Sequence, residues 1–307
     1  MTVGYDGLLR RSSLQSTRNA VTLSNQSYGY DPSSRLETAL LLAGVLCGFV
    51  KVQAQDQSAP NEPEFIVPSR PTVSNPAEFQ KPGVLQLEVG YNANFQASGI
   101  HLQQDMPLAL RFAVNRRLLL EFDGDSPSSQ TVAGVRTTGA GDSQLGIQVV
   151  LQHEKESRPG FSIAYYIKLP TADSARGLGT GRVDHNFIAL VSKKLGGTTL
   201  DFNATFLFSG RTTANGHASS GQAALAASHN VTRRVAIQGE LSGYSRNDAQ
   251  SGAVLALGAL TYQVNRRLVL DSGLRFGLTH DAPRNGLFAG LTLGVADLHK
   301  HRHARGN

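Results

Sequence analysis

The chain has 307 residues, 40% of them hydrophobic, and a formal net charge of +6. The positive charge does not indicate nucleic-acid binding, because no basic amphipathic helix and no aromatic-basic signature accompanies it. A mean hydropathy of −0.19 does not by itself indicate a membrane protein, but the strands of a membrane barrel also average to neutrality. The single cysteine, Cys47, lies in a stretch that we expect to be removed, so disulfides are excluded as a source of stability.

The first predicted element is a signal peptide. Residues 40–50 are an uninterrupted apolar run, too short for the helix of about 20 apolar residues that spans a bilayer. Short side chains follow and end at Ala54, where we predict cleavage; a buried globular helix is the alternative. The polar residues 1–34 make an unusually long leader or reflect a start that lies too early. Residues 1–54 are therefore predicted to be an N-terminal extension with a signal peptide.

A proline-rich stretch follows at residues 55–83 and contains six of the chain's 12 prolines. Proline lacks an N–H group and fixes one backbone angle, so this stretch cannot form a regular helix or a central strand. It predicts a periplasmic linker or an extended arm that enters a barrel.

From residue 84 onward, apolar and polar residues alternate with a period of two. Leu145, Ile147 and Val149 face one way while Gln144 and Gln148 face the other, because successive side chains of a strand point to opposite faces. The pattern predicts an all-β fold, a transmembrane antiparallel up-and-down β-barrel of about twelve strands over residues 84–298. The predicted strands are residues 84–96, 105–114, 117–123, 142–154, 160–171, 184–193, 198–210, 221–231, 234–246, 253–264, 267–278 and 286–297.

The connections favour a membrane barrel over a secreted β-sandwich, which would also alternate. Short turns with paired basic residues recur at residues 114–118, 231–235 and 264–268, and each follows an even-numbered predicted strand. Longer polar loops follow the odd-numbered strands, as in bacterial outer-membrane barrels with short periplasmic turns. The predicted long loops are residues 97–104, 124–141, 173–183, 211–220, 247–252 and 279–285. We expect the protein to lie in the bacterial cell outer membrane.

Strand ends and turns between residues 70 and 295 carry a family resemblance. They are Arg-Pro-Thr at 70–72, Gln-Leu-Glu-Val-Gly-Tyr at 86–91, Leu-Pro-Thr at 169–171, Gly-Leu-Gly-Thr-Gly at 177–181 and Ser-Lys-Lys-Leu-Gly at 192–196. The chain resembles the transporter-like outer-membrane barrels labelled "MetA-pathway of phenol degradation". This resemblance implies passage of small, aromatic or hydrophobic molecules across the outer membrane, and it implies no catalytic residues.

Charged residues in the inward-facing register are the candidate functional residues. They would form either a narrow polar path or a lattice of ion pairs that braces the wall, because charges in a narrow barrel must pair or stay hydrated. The first alternative predicts a porin-like barrel for small solutes, and the second a structural or surface-interaction barrel with a plugged lumen. The candidate lumen-lining residues are Glu88, Arg111, Glu121, Asp123, Lys168, Asp201, Glu240, Asp271 and Arg275.

One segment offers an enzymatic hypothesis. His217 and Ser219 would share a face of a strand near the outer rim, similar to the His-x-Ser arrangement of outer-membrane phospholipases. Such a site needs a third, orienting residue, for which Asn203, Asn215 and Asn230 are the candidates. An ordinary Ser/Gly-rich loop tip is the interpretation that we favour, so we expect no enzyme and no catalytic residue.

The chain ends in a basic, His-rich tail at residues 299–307. In an extended tail His299, His301 and His303 would share one face and could bind a transition metal. A solvated tail is favoured, and no metal site or cofactor is predicted.

Expected partners are outer-membrane lipid, the barrel-assembly machinery and a small-molecule solute, and nucleic acid is not among them. The last strand lacks the terminal aromatic residue on which such barrels commonly end.

Overall fold

The computed structural model describes residues 64–97, 100–211, 216–246 and 251–299. The predicted extension with its signal peptide lies outside these residues, as does the tail beyond His299. Within the described part of the chain, no helix is long and apolar enough to cross a membrane. The strands are β1 (Val84–Ala97), β2 (Ile100–Ala113), β3 (Leu118–Val132), β4 (Val135–Gly139), β5 (Ser143–Gln152), β6 (Gly160–Leu169), β7 (Asp184–Leu195), β8 (Thr198–Gly210), β9 (His217–Asn230), β10 (Val235–Tyr244), β11 (Ala253–Asn265), β12 (Leu268–Gly277) and β13 (Asn285–Asp297).

Twelve of these strands close into a barrel. Each strand of the ring pairs antiparallel with its neighbours, and β1 closes it by pairing with both β2 and β13. The exception is β4, which pairs only with the distal part of β3 and extends that hairpin beyond the ring. The predicted fold class, an all-β antiparallel barrel of about twelve strands, is confirmed.

The loop pattern differs from the prediction in several places, and β9 begins at His217 rather than at residue 221. β2 begins at Ile100 rather than at residue 105, and only residues 98–99 separate it from β1, so the predicted long loop at 97–104 was wrong. Much of the predicted loop at 124–141 is the β3–β4 hairpin. Residues 124–131 are almost entirely polar, and β2 begins with only Ile100 and Leu102 before the polar residues 103–105. Neither stretch shows the sustained apolar alternation on which the prediction depended.

The barrel has two different ends. One end, here called the turn end, carries the short connections at residues 114–117, 196–197, 231–234 and 266–267. The opposite end, the loop end, carries the longer connections, including residues 170–183.

The two faces of the wall invert the usual soluble pattern. Outward-facing Leu120, Phe187 and Leu274 are 44%, 49% and 52% exposed, whereas inward-facing Glu88 and Gln148 are each 1% exposed. Apolar side chains therefore face out, and polar side chains pack within the barrel. An outward apolar band is what hydrocarbon surroundings require of a barrel.

Residues 64–83, here called the interior segment, run inside the barrel, so the described part of the proline-rich stretch lies within the ring. The backbone N–H of Lys81 donates to the carbonyl of Glu64 at 2.8 Å, so the two ends of the segment meet. Hydrogen bonds join the segment to inward-facing side chains of nine strands, Glu88 of β1, Arg111 of β2, Gln148 of β5, Ser162 of β6, Ser192 of β7, Asn203 of β8, Glu240 of β10, Asp271 of β12 and Asp297 of β13.

Candidate functional site

A buried ionic cluster joins the first three strands of the ring. Nη1 of Arg111 lies 3.3 Å from Oε1 of Glu88, and its Nε lies 3.2 Å from Oε2 of Glu121. The hydroxyl of Tyr166 donates to the same Glu121 oxygen at 3.2 Å. Arg111 is 0% exposed, so its charge is stable there only because two carboxylates compensate it. These four residues are called the Arg111 cluster.

Wall side chains satisfy the backbone of the interior segment. Oε2 of Glu240 accepts hydrogen bonds from the backbone N–H and the hydroxyl of Ser74 at 2.8 and 2.9 Å. The side-chain amide of Asn203 accepts from the N–H of Asn75 at 2.7 Å and donates to its carbonyl at 2.8 Å. Because the segment forms no strand, these side chains replace the sheet partners that its buried polar groups would otherwise lack.

Arg70 lies in a slot that two glycines provide. Gly90 and Gly290 are cross-strand partners on β1 and β13, and a Cβ at either would overlap the Arg70 guanidinium. From this slot the guanidinium reaches Asp271 on β12, with Nη2 3.3 Å from Oδ1. Because glycine has no side chain, a charged group of the interior segment can lie flat against the wall at this point.

We expect a Gly90→Ala substitution to lower the free energy of unfolding by about 1–3 kcal/mol, because the new methyl group displaces the Arg70 side chain. Gly221→Ala is the matched control, since its Cβ would meet only the Thr205 carbonyl at 3.9 Å. Denaturant unfolding in lipid vesicles measures both. In an Arg70→Ala background the Gly90 substitution should cost little, and an unchanged cost there would contradict the slot.

A polar chamber of about 340 Å³ lies between the interior segment and the loop end. Nζ of Lys168 pairs with Asp184 at 2.7 Å and with Asp142 at 3.2 Å. Among the described residues, Asp123 and Asp125 form no ion pair, so carboxylates outnumber cations in the lining. The lining residues are Ser69, Arg70, Asn75, Glu88, Pro107, Leu108, Ala109, Glu121, Asp123, Gly124, Asp125, Asp142, Ser143, Gln144 and Lys168.

The structure places the nine sequence-predicted residues on the inner face, but in different surroundings. Glu88, Arg111 and Glu121 belong to the Arg111 cluster, and Asp123 and Lys168 line the chamber. The other four lie apart from these groups. Glu240 and Asp271 bind the interior segment, Asp201 accepts from the Ser192 hydroxyl, and Arg275 lies 5.8 Å from the Phe288 ring centroid.

Sequence reasoning did not nominate Asp125, Asp142 or Gln144 as lumen residues. The first two fell in or beside the predicted loop at 124–141. The available signal was the alternation of Glu121, Asp123 and Asp125, which continues the inward register of β3 past its predicted end.

The described residues do not bring together the side chains that the enzymatic hypothesis requires. His217 and Ser219 both face outward on β9, and no hydrogen bond joins them. Asn203 faces inward and binds Asn75, Asn230 lies at the opposite end of β9, and Asn215 is outside the described residues. The described residues also contain no group of three side chains placed to hold a metal ion.

The closed ring, the outward apolar band and the polar interior define a β-barrel of the outer-membrane type. The chain belongs to the family described as "Putative MetA-pathway of phenol degradation", whose model matches residues 68–294.

Several solved structures are similar to this chain. An outer-membrane channel from Pseudomonas putida F1 is 15% identical, with a TM-score of 0.56 over 78% of this chain and 99% of that one. The NanC porin is 7% identical, with a TM-score of 0.49 over 68% of this chain and 98% of its own. The KdgM porin is 9% identical, with a TM-score of 0.43 over 68% of this chain and 99% of its own. No curated protein sequence matches the chain.

Proposed function

We propose that this barrel lies in the bacterial outer membrane and lets small solutes cross it through the interior chamber. The observation that carries the proposal is the polar chamber of about 340 Å³ inside a wall whose outer face is apolar. Family membership supports it, as do the short turns, the start of β1 and the end of β13, which all lie at the end of the ring that in such barrels faces the periplasm.

The size and charge of the chamber limit the proposed solutes. Its volume is at the lower end of the range of about 300–1,000 Å³ that holds small ligands, so a single-ring molecule fits best. Excess carboxylates attract cations, accept hydrogen bonds and repel anions. We therefore propose neutral or cationic solutes with hydrogen-bond donors, a class that includes the phenol in the family's description.

Reconstitution of the full chain tests the proposal. Planar bilayers should show small, discrete conductance steps, and proteoliposomes should swell in small neutral solutes but not in larger sugars. The absence of both conductance and swelling from folded, membrane-inserted protein would overturn the channel function.

An Asp125→Asn substitution should lower the cation-to-anion permeability ratio by removing unpaired charge from the chamber. Reversal potentials across a salt gradient measure this ratio. The effect should shrink near 1 M salt, where the Debye length falls to about 3 Å. Asp173→Asn, in a loop outside the chamber, is the matched control, and an equal effect there would exclude the chamber as the selective region.

A second candidate function is a structural or surface-interaction barrel with a plugged lumen. The interior segment favours it, because hydrogen bonds attach that segment to several strands around the ring. The bilayer experiment separates the two, since a plugged barrel would insert and yet conduct nothing.

A further inference from the structure

Three polar rings cluster on the outward face of the wall, close to the loop end. Nδ1 of His185 lies 2.8 Å from the Tyr165 hydroxyl, and its ring centroid lies 5.5 Å from that of His217. Tyr165 and His185 stand on the neighbouring strands β6 and β7, and His217 stands on β9, one strand beyond β8. All three share the outward register of the exposed Phe187 and Phe206. They therefore occupy the rim of the apolar band that lies nearer the loop end.

Arg182 adds a permanent positive charge to this rim. A Cβ on outward-facing Gly210 would lie 2.6 Å from the Cβ of Arg182, so the arginine side chain covers that glycine. Gly210 is the cross-strand partner of His217, so the stem of the Arg182 side chain lies next to His217 and its guanidinium is within reach of the histidine pair. The neighbouring carboxylate, Asp184, is turned inward and paired with Lys168 at 2.7 Å, so it does not neutralise this cation.

An apolar groove of about 700 Å³ continues from these rings along the outer wall. Its floor includes Ala189 and Ala204, which are paired across β7 and β8. Their side chains are short, so the outer surface is lower there than at the neighbouring rings. The larger rings of Tyr165, Phe187 and Phe206 border it, with the Tyr165 and Phe187 centroids 5.0 Å apart. Tyr165 belongs to both features, so the groove and the polar rim are continuous.

We propose that this surface binds a phosphorylated, multiply acylated lipid of the outer leaflet, the chemistry of lipid A. Arg182, His185 and His217 contact a phosphate group, and an acyl chain fills the groove over Ala189 and Ala204. Charge complementarity selects this occupant, because a guanidinium with nearby ring N–H donors matches phosphate, whereas a second protein copy would bury that charge unpaired. The inference rests on the outer-membrane location proposed above.

Native mass spectrometry of the full chain in detergent, with added bisphosphorylated lipid A, tests the proposal. Combining Arg182→Ala, His185→Ala and His217→Ala should weaken lipid A binding on the order of tenfold or more, since charge-assisted contacts are lost. Binding of lipid A from which the phosphates have been removed should be weak and unaffected by the substitutions. His229→Ala, at the opposite end of β9 and hydrogen-bonded to Thr198, is the matched control and should leave binding unchanged.

An Ala204→Phe substitution tests the groove separately, because it fills the floor without changing charge. It should weaken lipid A binding while leaving folding intact, since the side chain faces outward. Equal binding by parent and triple variant, or equal binding of phosphorylated and dephosphorylated lipid, would overturn the proposal. The triple variant should keep its bilayer conductance, because its changes lie outside the lumen, so loss of lipid binding and loss of channel function are distinguishable.

Discussion

An Arg111→Met substitution is expected to lower the free energy of unfolding of the barrel by about 3–5 kcal/mol. The guanidinium is 0% exposed and compensates Glu88 and Glu121, which are 1% and 8% exposed. Methionine fills similar space but leaves two carboxylates close together without a counter-ion. The cost therefore comes from uncompensated buried charge rather than from a cavity.

Unfolding by guanidinium chloride in lipid vesicles measures this loss. The folded fraction is read from the shift in gel migration that heating produces. Adding Glu88→Gln and Glu121→Gln to the Arg111 variant should restore part of the stability, because the charges are then removed together. Arg233→Met, in the exposed turn between β9 and β10, is the matched control and should change stability by less than about 0.5 kcal/mol. A loss of that small size at Arg111 would mean that its cluster is hydrated.

Deleting residues 64–80 should raise the single-channel conductance several-fold. The interior segment occupies the space between wall side chains on nine strands, so its removal widens the path and hydrates the carboxylates that now bind it. Planar-bilayer recording measures the step size. An unchanged step would show that ions already pass beside the segment.

A second variant covers the case in which the deletion does not fold. Combining Asn203→Ala with Glu240→Ala removes the hydrogen bonds to Ser74 and Asn75 while keeping the whole chain. We expect noisier, larger conductance as the middle of the segment loosens. Thr198→Ala, near the turn end of β8, is the control and should leave the current as in the parent.

Much of the fold could be predicted because a barrel wall is a local pattern repeated many times. Alternation such as Leu145, Ile147 and Val149 assigns each strand its outward face, and the turns at 231–234 and 266–267 order the strands. The pattern failed at the start of β2, because the polar residues 103–105 interrupt the apolar alternation after Ile100 and Leu102.

The interior was less predictable for a different reason. The inward register nominated Glu240 and Asp271, but their partners Ser74 and Arg70 lie in a stretch with no periodicity at all. That pairing depends on closure of the ring, which brings distant parts of the chain together. A proline-rich sequence excludes regular helices and central strands, but it does not predict which groups will hydrogen-bond to its backbone.

The position of the interior segment ahead of β1 constrains the order of assembly. Its contacts with Ser192, Glu240 and Asp271 join residues 115, 166 and 201 positions apart, whereas neighbouring strands meet through short connections. Contacts of such long range form slowly, because the entropy of closing a long loop must be overcome first. The segment can therefore complete its bonds only after the late strands are in place. Although it precedes every strand in the chain, it is among the last parts of the molecule to reach its native contacts.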